Sequence, residues 1–168
     1  MPALKVYKEH LGERVLGLPA TDIYLPLAIR KNANDRKRLI RTMLTFNEED
    51  ESLTYASDVP MGHLAQLMYC NSDRVIMAAD AAGKIASTAL NKSISKLSLP
   101  ILAIAISSAG RRLLLGQRAA EETKAVIDVL PKGTKQMGFY SYGELSSLAS
   151  NNCDLNNQII SVTTISEG

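Results

Sequence analysis

Side chains that could hold a small ligand are concentrated near the C-terminal end of the chain. Phe139, Tyr140 and Tyr142 lie between two glycines, and Glu144 follows the second glycine directly. These rings are three of only eight aromatic residues in the chain, so this short stretch has large, stiff contact surface beside a carboxylate. From spacing alone the pattern is typical of ordinary core packing before a turn, and the alternative is a strand that bends onto a polar pocket.

A second polar group follows the most apolar segment, residues 99–106. Ser107, Ser108 and two small residues lead from it to Arg111. Small residues there leave room for a ligand, and backbone N–H groups with the arginine could hold an anion. The alternative is a plain connection from strand to helix with an exposed arginine.

Histidines and cysteines offer little for catalysis or metal binding. His10 and His63 are far apart, without a metal-ligand repeat, although His63 precedes an apolar strand and could reach a pocket as a haem ligand. No nucleophile elbow, phosphate-cradling glycine loop or haem attachment motif occurs. We therefore expect a binding module and not an enzyme.

Length and composition are those of one globular domain, residues 1–168. A net charge of +2 gives no argument for a nucleic-acid partner. Two widely spaced cysteines suit a reducing compartment, and the opening residues do not resemble a signal peptide. The longest apolar run is far too short to cross a bilayer, which takes roughly 20 residues. These features predict a cytoplasmic protein without a membrane segment.

Hydrophobic periodicity predicts an α+β fold with a largely antiparallel or mixed sheet, two longer helices and a short N-terminal helix. The predicted helices cover residues 2–11, 72–89 and 121–130, and the predicted strands cover 27–30, 39–46, 53–55, 64–69, 99–106 and 158–165, with a further strand in 138–145. The apolar run 99–106 is expected to be the central strand, buried on both faces. The tail 91–98 and residues 146–155 are expected to be loops.

Two features leave alternatives open. The basic run 31–38 could contact a phosphate or an acidic partner, or it could be a solvated hairpin loop. The alanine-rich stripe of the helix over 72–89 could pack on the sheet, or on another helix in a homo-oligomer.

Three ordered blocks resemble the C-terminal half of the FIST family: residues 107–118, 138–145 and 153–158. The resemblance extends more loosely to residues 2–7 and 59–62. It implies a bacterial intracellular sensory domain, FIST C, that binds a small ligand such as an amino acid and signals to a histidine kinase, a chemoreceptor or a cyclic-dinucleotide enzyme. A subset of the family is associated with haem and nitric oxide, so haem b bound through His63 or His10 is the alternative cofactor.

The resemblance also implies roles for single residues. Arg111 would grip a ligand carboxylate, Glu144 would receive an ammonium group, Tyr142 would pack on the ligand and Asn157 would orient it. Ser108 and Tyr140 complete the predicted set. The chain departs from the family pattern in two places, because Ser108 stands where a cysteine is expected and Asn156 where a histidine is expected.

A full-length FIST protein has an additional N-terminal half, so we expect this chain to represent a single FIST C-like domain without it. A third reading is then a structural or interaction domain whose ligand site lies in that other half.

The order of the elements makes a geometric prediction. If the strand over residues 99–106 and the strand in 138–145 are parallel, both end at one edge of the sheet. Arg111, Tyr142 and Glu144 would then lie close together around one cavity. Alternatively, the arginine and the glutamate could simply pair with each other.

Overall fold

The computed structural model describes residues 1–93, 100–146 and 153–166, and its fold is α+β, as predicted. The α-helices are α1 (Ala3–Leu11), α2 (Ser72–Ser93), α3 (Ala109–Leu115) and α4 (Ala119–Asp128). The strands are β1 (Leu27–Arg30), β2 (Leu39–Arg41), β3 (Met43–Asn47), β4 (Ser52–Tyr55), β5 (Leu64–Leu67), β6 (Ile101–Ser108), β7 (Lys135–Ser141), β8 (Glu144–Ser146), β9 (Asp154–Asn156) and β10 (Ile160–Ser166). Short 3₁₀ helices cover Gly12–Gly17, Ala20–Tyr24 and Gly116–Arg118.

The chain divides into two compact units. The first unit consists of Met1–Cys70 and Leu145–Gln158, and the second of Asn71–Glu144 and Ile159–Gly168. The assignment of residues 1–168 to a single domain stays a prediction. In the parts of the chain that are described, no helix is both long enough and apolar enough to cross a membrane.

The first unit contains an antiparallel sheet in the order β2-β1-β5 and an antiparallel pair of β3 with β4. Helix α1 ends at Leu11, as the sequence predicts, and the next residue, Gly12, has a φ of 57° that suits glycine. Tyr7, Leu11, Leu25 and Met43 form the core of this unit.

The prediction of one strand over residues 39–46 is wrong. β2 pairs with β1, whereas β3 pairs with β4, and the chain changes partner at Thr42. The reason is tertiary, because polar groups distant in sequence bind the backbone at this point. Asn157 Oδ1 accepts from Thr42 N at 3.3 Å, and the buried carboxylate of Asp22 accepts from Met43 N at 2.7 Å. Both amides are thus satisfied without a continuous ladder.

The second unit contains a three-stranded sheet in the order β10-β6-β7, so the apolar run does form the central strand. β6 is antiparallel to β10 and parallel to β7. Burial on both faces is not observed, because Ile101 and Ala103 have no exposed surface whereas Leu102, Ile104 and Ile106 keep partial exposure. The helices cover one face of the sheet, and the core there contains Ala79, Ala86, Ala103, Val126 and Leu130.

Helix α2 continues beyond the predicted end at Ala89, so Asn91, expected in a loop, is helical. Its buried stripe includes Val75, Ala79, Ala86 and Leu90, whereas Ala78, Ile85 and Ala89 of the predicted stripe are exposed.

The rest of the predicted loop after α2, residues 94–98, lies outside the described residues, as do Leu99 and residues 147–152. Within the other predicted loop, Ser146 is the last residue of β8, and Asp154 and Leu155 belong to β9.

Candidate functional site

The parallel pairing of β6 with β7 brings the carboxyl ends of two strands to one edge of the sheet in the second unit. Ser107 lies opposite Tyr140, and Ser108 lies opposite Ser141. Helix α3 begins directly after Ser108, whose Oγ accepts a hydrogen bond from Gly110 N at 3.3 Å and caps the helix. The parallel pairing on which the geometric prediction depends is therefore present, and the polar residues after β6 and along β7 share one edge.

A buried ion pair connects the elements at this edge. Arg111 Nε donates to Glu122 Oε1 at 2.7 Å, and Arg111 Nη2 donates to the Val75 carbonyl at 2.8 Å. Ser107 Oγ donates to the other carboxylate oxygen of Glu122 at 3.0 Å. The two charged side chains are only 4% and 2% exposed, so they are desolvated and depend on each other. β6, α2, α3 and α4 are thus held together by one polar network.

Next to this network lies a cavity of about 340 Å³ between α4 and the sheet. Its polar wall includes Ser107, Glu122, Gln136 and Tyr140, and Ala105 and Ile160 contribute apolar surface. Gln136 Oε1 is buried and makes no hydrogen bond to any described residue. A buried acceptor without a donor is costly, typically by about 1–3 kcal/mol, and a ligand N–H or O–H would relieve that cost.

Glycine is required at position 138, where β7 forms the wall of the cavity. A Cβ added there would lie 1.9 Å from the Ala105 carbonyl oxygen on β6. The glycine that the sequence places before the aromatic residues therefore permits a close approach of two strands, in addition to any role in bending the chain.

Glu144 is a second buried carboxylate of this unit. Ser141 Oγ donates to its Oε1 at 2.7 Å, whereas Oε2 is buried without a hydrogen-bond partner among the described residues. Burial raises the pKa of Glu144 above its ordinary value, although the Ser141 hydroxyl, the Ile159 amide and the charge of Arg111 act in the opposite direction. Arg111 therefore lies close enough to influence Glu144, but its ion pair is with Glu122.

This raised pKa predicts how stability depends on pH. The folded state holds the Glu144 proton more tightly than the unfolded chain does. The stabilisation that this proton gives the folded state is therefore fully present below the ordinary pKa of 4.5. It is lost as the pH rises through the folded-state pKa. We expect Glu144→Gln to raise the melting temperature relative to wild type at neutral pH, and to lose this advantage on acidification.

Thermal melts of both proteins between pH 4 and pH 8 measure this difference. Glu121→Gln is the matched control, because Glu121 is exposed and the Arg118 side chain lowers its pKa. The small change in melting temperature caused by Glu121→Gln should therefore vary with pH in the opposite direction. If the melting temperature of Glu144→Gln exceeded that of wild type by more as the pH falls, the raised pKa of Glu144 would be contradicted.

The predicted ligand residues are placed in different surroundings. Tyr140 lines the cavity and is 43% exposed, whereas Tyr142 is 91% exposed. Arg111, Glu144 and Ser108 are buried in the second unit and do not line the cavity, and their polar contacts named above are to other residues of that unit. Asn157 belongs to the first unit, where it is buried and bonded to the backbone of β2 and of Thr42. A shared ligand site for all of these residues stays a prediction.

Glu122 and Gln136 are the site residues that the sequence analysis missed. Glu122 had a detectable signal, because it lies on the same helical stripe as Val126 and Val129, where an acid among buried apolar positions calls for a partner. Gln136 had none, since an amide on a strand with exposed neighbours looks like a surface residue.

The two haem-ligand candidates lie in the first unit. His10 lines an apolar cavity of about 600 Å³ beside α1, and its Nδ1 is 2.8 Å from the Val6 carbonyl oxygen. His63 is half-buried beside a smaller cavity near the basic loop. Among the described residues, no group of three or more His, Cys, Asp and Glu side chains could hold a metal ion.

Comparison with known proteins identifies the family. No curated protein and no solved structure matches the chain. Residues 3–147, most of the chain, match the model of the FIST C domain. This match agrees with the resemblance carried by residues 107–118 and 138–145, and with the α+β fold. The chain therefore belongs to the FIST C domain family, whose domain is found in sensory signalling proteins.

Proposed function

We propose that this FIST C domain is a cytoplasmic sensor that binds a small ligand through its ammonium group in the cavity between α4 and the β6/β7 edge. An amino acid or a related zwitterion is the favoured ligand. The observation that carries the proposal is the buried Gln136 Oε1, which has no hydrogen-bond partner among the described residues and lies in the same cavity wall as Glu122.

The chemistry of the wall supports a ligand that donates hydrogen bonds. Glu122 and Gln136 Oε1 are acceptors, and the Tyr140 and Ser107 hydroxyls can accept as well as donate. A volume of about 340 Å³ is at the small end of the usual range for ligand pockets, which suits a metabolite the size of an amino acid. Tyr140 and the apolar lining would cover its side chain.

The proposed roles differ from those that the family resemblance implies. Arg111 is bonded to Glu122 and to the Val75 carbonyl, so we assign it the role of positioning Glu122 instead of gripping a ligand carboxylate. The ammonium group is assigned to Glu122 and Gln136 instead of Glu144. Ligand binding would be relayed to a signalling partner such as a histidine kinase or a cyclic-dinucleotide enzyme, with the domain acting as a binding module and not as an enzyme.

Calorimetric titration and thermal shift with the common amino acids and small primary amines test this proposal, because a ligand that binds only the folded state raises the melting temperature. We expect Gln136→Leu to weaken binding by about tenfold through the loss of one hydrogen bond to a charged group. Tyr140→Ala should also weaken binding.

Tyr142→Ala is the matched control, since this ring is almost fully exposed and lies outside the cavity lining. Equal losses in Tyr140→Ala and Tyr142→Ala, or wild-type affinity in Gln136→Leu, would contradict the assignment of the cavity. Binding of carboxylates without an amine, at the affinity of the amino acids, would contradict recognition through the ammonium group.

Haem binding is the second candidate function, and His10 is the residue that favours it. A proton on Nδ1, donated to the Val6 carbonyl, leaves Nε2 as a neutral nitrogen able to ligate iron. The cavity that His10 lines is apolar and, at about 600 Å³, larger than the one in the second unit. Haem b would supply an iron that binds nitric oxide, while the apolar lining of this cavity would hold the ring and His10 would provide a nitrogen ligand.

Titration with haemin, followed by visible absorption, tests this second candidate. We expect His10→Ala to abolish the Soret band of a His-ligated complex, and His63→Ala to leave it unchanged. A band lost only in His63→Ala would move the ligand to His63. The absence of any His-dependent band would leave amine binding as the proposed function.

A further inference from the structure

The loop that connects β1 to β2 gathers positive charge around a small cavity in the first unit. The cavity, about 160 Å³ in volume, is lined by Arg30, Lys31, Lys37 and His63, with Asp35 as the acidic residue of its wall. The cations come from both ends of one loop, and His63 comes from the segment before β5. Tertiary structure therefore converts a basic stretch of sequence into a concave surface.

Turn chemistry holds the loop in this shape. Asn32 Oδ1 accepts from the Asn34 and Asp35 amides at 3.0 and 3.1 Å. Asp35 Oδ1 in turn accepts from Lys37 N at 2.9 Å. Hydrogen bonds of this kind order a loop before any ligand arrives, which lowers the entropic cost of binding. They also occupy one carboxylate oxygen of Asp35, an acidic residue of the cavity wall.

The cations around this cavity have N–H donors that remain available to a ligand. Arg30 donates one bond, at 3.3 Å, to the Ala33 carbonyl, and a guanidinium has five donors. Lys37 forms an ion pair with Asp154, and Lys31 is exposed without an ion pair among the described residues. Like charges around one cavity repel each other, and an anion placed between them would remove that repulsion.

We propose that this cavity binds a tetrahedral oxyanion, inorganic phosphate or the phosphoryl group of a phosphomonoester, through Arg30, Lys31, Lys37 and His63. Its volume equals that of about five water molecules at about 30 Å³ each, which suits one phosphate group. Donors that come from several directions match the acceptors of a tetrahedral anion better than the two oxygens of a planar carboxylate. This site is separate from the amine cavity of the second unit and does not depend on it.

Titration of the full chain with inorganic phosphate, followed by amide chemical shifts in NMR spectra, tests the proposal. Ionic strength is held constant with sodium chloride, because charge interactions at exposed sites are screened by salt. We expect shifts in residues 29–39 and around residue 63. Lys31→Ala should weaken phosphate binding by about tenfold, as the loss of one charge-assisted bond predicts.

Lys5→Ala is the matched control, because Lys5 is an exposed lysine of the same unit on α1. Both substitutions remove one charge from the surface, so the folded state is retained in each. Equal weakening in the two variants, or acetate binding as tightly as phosphate, would overturn the proposal and leave a solvated hairpin loop. Phenyl phosphate binding at least as tightly as inorganic phosphate would assign the site to phosphomonoesters, and weaker binding would assign it to the free ion.

Discussion

Glu122→Ala is expected to lower the free energy of unfolding by about 3–5 kcal/mol, because it leaves Arg111 as a buried charge without its partner. The substitution also removes the acceptor of the Ser107 hydroxyl and creates space beside the core residue Val126. Urea unfolding followed by circular dichroism measures the change. For a domain of ordinary stability, such a loss removes a large share of the total.

Glu121→Ala is the matched control, one residue earlier on α4. Glu121 pairs with Arg118 at the surface, where ion pairs contribute little to stability. The unfolding midpoint of Glu121→Ala should therefore stay close to that of wild type. The double variant Arg111→Met/Glu122→Leu should recover much of the loss, since it removes both charges and restores apolar volume. A Glu122→Ala protein as stable as Glu121→Ala would show that the pair is not essential to the fold.

Gly138→Ala is the second substitution with a large expected effect. The added Cβ would lie 1.9 Å from the backbone oxygen of Ala105, and no side-chain rotation can relieve a clash with backbone. β7 would have to move away from β6, at a cost of about 1–3 kcal/mol or more. The variant should unfold at a clearly lower urea concentration and bind the amine ligand more weakly, because the same strand forms the cavity wall.

Met137→Ala separates this clash from a general effect of changing β7, since Met137 is 60% exposed on the same strand. We expect it to leave the unfolding midpoint nearly unchanged. Gly138→Ala with a wild-type midpoint would mean that the two strands separate easily, and the close approach would then have no structural role.

The sequence by itself determined the framework of the second unit. Residues 99–106 are apolar at nearly every position, a pattern typical of a central strand, so the place of β6 in the middle of a sheet was predicted before its partners were known. The helical segments between residues 109 and 130 are long enough for a crossover, which is how parallel strands are connected. That order left parallel and antiparallel pairing open, and the structure decided that β6 and β7 are parallel, which places Ser108 and Tyr140 at one edge of the sheet.

Only the tertiary structure decided which groups pair. Arg111 had two carboxylates within reach of its strand end, Glu122 and Glu144, and local pattern could not rank them because the outcome depends on distances in space. The same holds for Thr42, where Asn157 and Asp22 supply the polar contacts around the break of a strand that looks continuous in sequence. Periodicity reports which face of an element is apolar, whereas hydrogen-bond partners and cavities arise only when distant segments meet.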